Sequence, residues 1–188
     1  MTAQNKIEEI LKQYPQIWKT ESSFMSFLRG GVRSGLWNKH PVKLEFIKNN
    51  RIRIENPKLE NRGRFPTVWG GVCALTGELC VIGDMEVDHK VGGHSLRSIK
   101  DLQQFVEGLA LITAEDLQLV SKVAHKIKSM SEKNGTDFNT AMIEKKAIQI
   151  CKDNLDKAFL EEHNLVPATT KAKRRQQIVE FLTKENLK

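Results

Sequence analysis

The sequence predicts an α+β protein in which a short β-rich middle lies between two helical regions. The strict alternation of "RIRIE", Arg51 to Glu55, indicates a strand. Two further β-rich runs, "ELCVI" (Glu78–Ile82) and "MEVDH" (Met85–His89), flank Gly83-Asp84, and this arrangement predicts a hairpin. Most of the remaining chain carries apolar residues at helical spacing.

The N-terminal region is predicted to be mostly helical. Apolar residues at helical spacing predict helices over Asn5–Tyr14, which Pro15 ends, and over Ser22–Leu28. Pro41 stands at the first turn of a third helix, "PVKLEFIKNN". The connecting segments are predicted to be irregular, with Gly30, Gly31 and Gly35 loosening the chain after the second helix and a loop over 56–66.

The chain after the hairpin is predicted to be helical apart from the glycine-rich loop "KVGGHS". Helices are expected over Ser98–Leu111 and over Thr113–Gly135, the latter with Leu117, Val120, Val123 and Ile127 on one face. Asp137 is positioned to cap the next helix. A short helix at 157–163 and a helix after Pro167 are expected to follow.

Composition and charge favour a protein of a reducing compartment with a polyanionic partner. The net charge is +7, from 30 Lys+Arg against 23 Asp+Glu, and cations gain affinity for nucleic acid by releasing its counterions. No apolar run approaches the roughly 20 residues that span a bilayer, and the N-terminus does not resemble an export signal. Three sparse cysteines fit a reducing compartment. We therefore expect a cytoplasmic location and no membrane partner.

The Asp88-His89 pair at the end of an apolar strand has two interpretations. It is either a polar strand end that faces water or one half of a metal site. Because successive strand residues face opposite sides, both side chains can serve one site only if the strand ends there. A residue type that could complete such a site, His125, lies nine residues after Asp116 on the predicted helix.

These residues resemble a known motif. "VDHK" followed by "EDLQLVSKVAHKIKS" is similar to the HNH endonuclease family of the phage-encoded homing or nicking type, over about residues 73–130. That family has a ββα-metal fold with Asp-His on the second strand, Asn or Asp before Leu-Gln, and a final His or Asn on the helix. Together with the helical spacing on either side of it, the resemblance predicts a mostly helical region over 1–64, a ββα-metal core over 65–133, and a helical region over 134–188 that is a candidate for DNA contacts.

The resemblance also implies roles for single residues. Asp88 and His125 would bind one divalent metal ion, with Mg²⁺ or Mn²⁺ expected and Ni²⁺ or Zn²⁺ acceptable to the same ligands. His89 would be the general base, and Asp116 would hold the glycine-rich loop and so orient His89. The candidates for DNA phosphate contacts are Lys90, Lys122, Lys126, Lys128, Arg62 and Arg64.

The cysteines depart from the family pattern. Many HNH proteins carry two CxxC pairs that hold a structural zinc. Here Cys73 occupies the first position, but Thr76, Ser121 and Ala124 stand at the others. We therefore expect no structural zinc. Apolar packing is expected to stabilise the core instead, through Val72, Leu75, Leu79, Val81 and Val87.

The expected function is metal-dependent cleavage or nicking of DNA by a monomer or weak homodimer. A phage homing or DNA-processing nuclease is the setting implied by the resemblance. Two alternatives stay open: a non-catalytic DNA-binding protein that retains the scaffold, and an RNA-directed nuclease. "KAKRR", Lys171 to Arg175, is either a DNA contact or a solvated helix face, and His94 is either a substrate contact or a loop residue. Trp18, Trp37 and Trp69 are interpreted as packing residues.

Overall fold

The computed structural model describes residues 2–92 and 95–186. The chain divides into two compact units, Met1–Ser121 and Lys122–Lys188. The first unit combines helices with two small antiparallel sheets, and the second is helical in its described residues. Mixed helix and sheet agrees with the predicted α+β class. The expected core over 65–133 extends across the boundary between the units, and the expected division of the chain stays a prediction.

The described residues of the first unit form the α-helices α1 (Ala3–Gln13), α2 (Glu21–Val32), α3 (Pro41–Asn50) and α4 (Leu102–Ala110). Side chains cap the first two, since the Thr2 and Thr20 hydroxyls accept hydrogen bonds from backbone N–H groups three residues on. A π-helical turn, Arg33–Trp37, directly follows α2. The prediction that glycines loosen the chain here was therefore wrong.

The first sheet has the strand order β1-β2-β3, with β1 at Ile52–Glu55, β2 at Thr67–Val72 and β3 at Leu79–Val81. Both pairings are antiparallel, and Arg53 lies opposite Trp69. The second sheet pairs β4 (Met85–His89) with β5 (Leu117–Ser121), also antiparallel. The alternation of "RIRIE" correctly predicted β1, whereas β2 was not predicted.

The predicted hairpin around Gly83-Asp84 was wrong. A 3₁₀ turn, Ile82–Asp84, separates β3 from β4, and the two strands belong to different sheets. The partner of β4 is instead β5, a segment predicted to be helical. Met85 and Val87 are buried, as are Leu117 and Leu119 on the partner strand. Burial of apolar side chains on both strands explains why long-range pairing prevails over the local turn signal.

The core of the first unit forms where α1, α2 and α4 contribute apolar side chains to one cluster. Its fully buried members are Ile7, Met25, Leu96, Phe105 and Leu109. The apolar residues expected to stabilise the strands behave differently from one another. Val87 is buried, Leu75 and Val81 are half-buried, and Val72 and Leu79 are 49% and 62% exposed. The expectation that Val72 and Leu79 form core was therefore wrong.

The second unit contains α5 (Lys122–Asn134), α6 (Phe138–Lys152), α7 (Asp156–Glu162) and α8 (Lys171–Asn186). Asp137 caps α6 as predicted, accepting a 2.9 Å hydrogen bond from the Thr140 N–H. The buried cluster consists of Ala147, Cys151, Leu160 and Ile178. No helix among the described residues is long and apolar enough to cross a membrane.

A buried ion pair joins two helices of this unit. Arg174 of α8 donates from Nε to the Asp156 carboxylate of α7 at 2.5 Å, and both residues are buried. The same guanidinium donates to the backbone carbonyls of Ala168 and Thr169. The "KAKRR" run was interpreted as a DNA contact or as a solvated helix face. Arg174 is neither, because its guanidinium is buried and bound within the second unit.

Candidate active site

The antiparallel pairing of β4 with β5 sets the position of the Asp88-His89 pair. Asp88 lies directly opposite Gln118 in this register. Gln118 Nε2 donates to Asp88 Oδ2 and to the backbone carbonyl of His89, each at 3.2 Å. One amide group therefore fixes the carboxylate and the end of the strand together. Strand β4 ends at His89, which is the condition for both side chains to serve one site.

The imidazole of His89 stacks on an indole ring. The ring centroids of Trp37 and His89 are 4.5 Å apart and the planes are inclined by 23°. Trp37 is half-buried and also packs against the core cluster of the first unit. The ammonium group of Lys43 lies 4.5 Å from the indole centroid. Trp37 is thus a packing residue as predicted, and it also connects the core to the orientation of His89.

Asp116 holds its own turn with its side chain. The carboxylate accepts hydrogen bonds from the backbone N–H and the hydroxyl of Thr113, both at 2.8 Å. These bonds, aided by the positive charge of Lys90, hold the pKa of Asp116 below its ordinary value. The connection to the start of the glycine-rich loop is made by the Asp116 backbone carbonyl, which accepts the Lys90 N–H at 2.8 Å. The expected role of the Asp116 side chain, to hold the glycine-rich loop and so orient His89, stays a prediction.

A small pocket of about 290 Å³ opens beside His89. Cationic and anionic side chains both contribute to its wall, together with apolar residues. Its lining consists of His89, Lys90, Val91, Gly108, Leu111, Ile112, Glu115 and Asp116. The pocket gives a small polar group, such as water or a phosphate oxygen, room next to His89. His94, a candidate substrate contact, lies outside the described residues.

The first unit brings together Asp88, His89, Asp116 and Gln118, whereas His125 belongs to the second unit. His125 is half-buried in the first turn of α5, the helix that follows β5 in the chain. Among residues 2–92 and 95–186, no group of three or more His, Cys, Asp or Glu side chains is arranged to hold a metal ion. The metal site formed by Asp88 and His125 stays a prediction.

The candidate phosphate contacts differ in their exposure and in the protein groups that they bind. Lys90 is exposed, as are Lys122 and Lys126 on α5. Lys128 is half-buried and pairs with Glu132 at 3.6 Å. The Arg62 guanidinium binds the Glu55 carboxylate and the Asn56 carbonyl, each at 2.6 Å. Arg64 is exposed and lies 5.2 Å from the Phe65 ring centroid.

The sequence analysis did not assign Gln118, Trp37 or Lys43 to the candidate site. Gln118 could have been found from its register opposite Asp88, had 117–121 been recognised as a strand. Trp37 carries no such signal, because only the tertiary fold brings it to His89.

No protein-family model, curated protein or solved structure matches the chain.

Cys73 is fully buried and its sulfur is satisfied by hydrogen bonds. Burial by itself would raise the pKa of this thiol. Hydrogen bonds from Thr76 and from further backbone N–H groups, including the Ser121 N–H at 3.3 Å, outweigh burial and leave the pKa below its ordinary value. Two of the residues that replace expected zinc ligands, Thr76 and Ser121, thus supply hydrogen bonds to the one remaining cysteine.

We expect chelation to separate activity from stability. EDTA should abolish the metal-dependent cleavage that the resemblance predicts but leave the melting temperature nearly unchanged, because a structural zinc that would contribute folding free energy is not expected. Elemental analysis of protein purified without added metal should find well under one zinc per chain. A stoichiometric zinc that survives chelation, or unfolding in EDTA, would contradict this prediction.

Proposed function

We propose that this protein is a metal-dependent DNA endonuclease that hydrolyses phosphodiester bonds at the Asp88-His89 pair. The observation that carries the proposal is the ordered end of β4, where Gln118 holds the carboxylate and Trp37 holds the imidazole beside an open pocket. A general base and a metal ligand both have to be held in a fixed orientation, and these two contacts hold Asp88 and His89 in this way. A phage homing or DNA-processing role is the setting that the resemblance suggests.

In this proposal the two strands of the ββα motif are β4 and β5, and the helix is α5. This assignment differs from the expected one, which placed Asp-His on the second strand. It is supported by the antiparallel pairing of β4 with β5 and by the chain order, in which α5 begins directly after β5. His125 then stands in the first turn of the motif's helix.

The donor chemistry fits a divalent metal ion. Asp88 offers a carboxylate oxygen and His125 an imidazole nitrogen, a pair that accepts Mg²⁺, Mn²⁺, Ni²⁺ or Zn²⁺. The Gln118 hydrogen bond to Asp88 is the kind of outer contact that orients a metal-binding carboxylate. A bound metal ion would neutralise the phosphate and stabilise the leaving oxygen. Two protein ligands leave the remaining positions to water and phosphate oxygens.

His89 acts in this proposal as the general base that takes a proton from the attacking water. An imidazole can be neutral and still basic at cellular pH, which suits this task. The stacked indole restricts the imidazole to one plane, so that its proton-accepting nitrogen need not be reoriented in each turnover. Lys90 lines the pocket and is exposed, which supports a role in contacting a phosphate next to the scissile bond.

A cleavage assay with several substrates and metals tests the proposal. Supercoiled plasmid, incubated with Mg²⁺, Mn²⁺, Ni²⁺ or Zn²⁺, should be converted to relaxed or linear DNA, and EDTA should stop the conversion. A single-stranded RNA in the same buffers separates a DNA nuclease from an RNA-directed one. Binding of DNA without cleavage under any of the metals would favour the non-catalytic alternative and contradict the proposal.

A further inference from the structure

Two arginines and a tryptophan form a cluster on the three-stranded sheet, which we call the arginine–tryptophan surface: Arg51, Arg53 and Trp69. Arg53 lies directly opposite Trp69 in the β1–β2 ladder, and Arg51 precedes it by two residues, on the same face. Each guanidinium carbon is 4.2 Å from the indole centroid. This distance is well within the roughly 6 Å range of cation–π contacts.

The charge of this surface is not neutralised by an ion pair among residues 2–92 and 95–186. Neither Arg51 nor Arg53 forms an ion pair with a described residue. The nearby carboxylate of Glu55 is bound by Arg62 at 2.6 Å. The two guanidinium groups share one ring, so they lie no farther apart than twice their distance from its centroid. Like charges held this close repel one another, and an anion between or above them would relieve the repulsion.

The cluster is accessible, and the indole ring restricts the motion of its two arginine side chains. Trp69 is 36% exposed and Arg53 is exposed, while Arg51 is half-buried. An arginine side chain in solution loses conformational freedom when it binds an anion. Contact with an indole ring restricts the guanidinium beforehand, which lowers the entropy cost of binding. Trp69 is therefore more than a packing residue, because it holds both cations at the surface.

The same sheet face leads to the strand that supports the candidate active site. Gly71 faces the same side of β2 as Trp69, since alternate strand residues share a face. A Cβ at Gly71 would lie only 2.5 Å from Leu119 Cδ2, so β2 passes directly against β5 at this point. Leu119 is the neighbour of Gln118, which binds Asp88. A ligand on the arginine–tryptophan surface would thus lie on the sheet that adjoins the β4–β5 pair.

We propose that the arginine–tryptophan surface binds the phosphate backbone of duplex DNA on one side of the cleavage site. The proposal rests on the proposed function in taking DNA as the partner. A duplex presents a negative charge about every 1.7 Å along its axis, so two closely spaced cations can each meet a phosphate. The contacts involve phosphates only, and they add affinity without sequence preference.

The test measures duplex binding across a range of salt concentrations, in EDTA so that no cleavage occurs. The double variant Arg51→Gln/Arg53→Gln should bind unrelated duplexes more weakly by a similar factor. The slope of log affinity against log salt should fall by roughly 0.9 for each arginine removed. The matched control, Lys12→Gln/Lys19→Gln, removes the same charge from exposed positions outside the sheet and should leave the slope nearly unchanged.

A second variant distinguishes the effect of the two positive charges on DNA affinity from the effect of holding the guanidinium groups in place. Trp69→Leu keeps both arginines, so the salt slope should stay at its original value while affinity falls roughly two- to fivefold, as expected for loss of an exposed cation–π contact. Melting temperatures of all variants are compared first, because only folded variants report on binding.

Several results would overturn the inference. These are an unchanged slope in the arginine variant, an equal loss in the lysine control, no duplex binding by the unsubstituted protein, or tighter binding to an RNA duplex through the same arginines. The outcome is independent of the proposed nuclease activity. Arginine-dependent duplex binding without cleavage in the plasmid assay would support this surface and contradict only the endonuclease.

Discussion

The His89→Ala variant should fold and bind metal like the unsubstituted protein but cleave plasmid DNA about 10² to 10⁴ times more slowly. Removing a positioned general base costs a rate factor of about this size. The measurement is the initial rate of plasmid relaxation in Mn²⁺, with the melting temperature recorded in parallel. Added imidazole should restore part of the rate, because the cavity left by the side chain lies beside an open pocket.

A matched control exists for the loss of a stacked imidazole. His163 packs on the Phe159 ring at 4.4 Å and belongs to the second unit. The variant His163→Ala loses a similar aromatic contact and can lose stability, but it should keep its cleavage rate at a temperature where it is folded. A rate for His89→Ala equal to that of the unsubstituted protein would show that His89 is not the base.

The Asp156→Ala variant should lose about 3 to 5 kcal/mol of unfolding free energy. The carboxylate of Asp156 binds the buried Arg174 guanidinium at 2.5 Å, and removing it leaves a buried charge without its counterion. Denaturant-induced unfolding measures the difference. The exposed Asp153, whose carboxylate accepts hydrogen bonds from the Gln149 side chain, supplies the control variant Asp153→Ala, expected to cost under about 0.5 kcal/mol.

The stability contribution of this ion pair should depend on pH in a defined direction. The hydrogen bond from Arg174 holds the pKa of Asp156 below its ordinary value. A lowered folded-state pKa gives stability that is fully present above the unfolded value, about 3.9, and that is lost as pH falls towards the folded value. The gap between the unsubstituted protein and Asp156→Ala should therefore narrow below about pH 4. A gap under about 1 kcal/mol at pH 7 would contradict the assigned role of the pair.

The helices were predictable because their signals are local. Pro41 at the first turn of α3 and Asp137 before α6 marked helix starts that the structure contains. The strands were harder, because β4 pairs with a segment about 30 residues farther along the chain. In "LQLV" the apolar residues fit a strand period and a helix period equally well. Val123, placed on the apolar face of the expected helix, is 64% exposed.

The candidate site likewise contains residues that local sequence predicted and residues that only the fold brings together. Asp88 and His89 are adjacent in sequence and were proposed from the motif alone, whereas their supports are contributed by distant segments. Gln118 contacts Asp88 because their strands pair. Trp37 contacts His89 because a helical turn packs against the strand end, and this turn is not part of the motif. Arg174 shows the converse, because a basic run suggested a surface and only packing shows that one member is buried.

The most direct test of the central claim, that Asp88 and His125 hold one metal ion next to His89, is Mn²⁺ binding followed by calorimetry. We expect weak binding by the unsubstituted protein, because only two protein ligands are proposed. Asp88→Ala and His125→Ala should each lower the affinity by at least about tenfold, since even the loss of a residue that only supports a ligand costs about 10- to 100-fold. The control Asp84→Ala removes an exposed carboxylate just before β4 and should bind Mn²⁺ normally. Unchanged affinity in both ligand variants would contradict the account and move the metal site elsewhere.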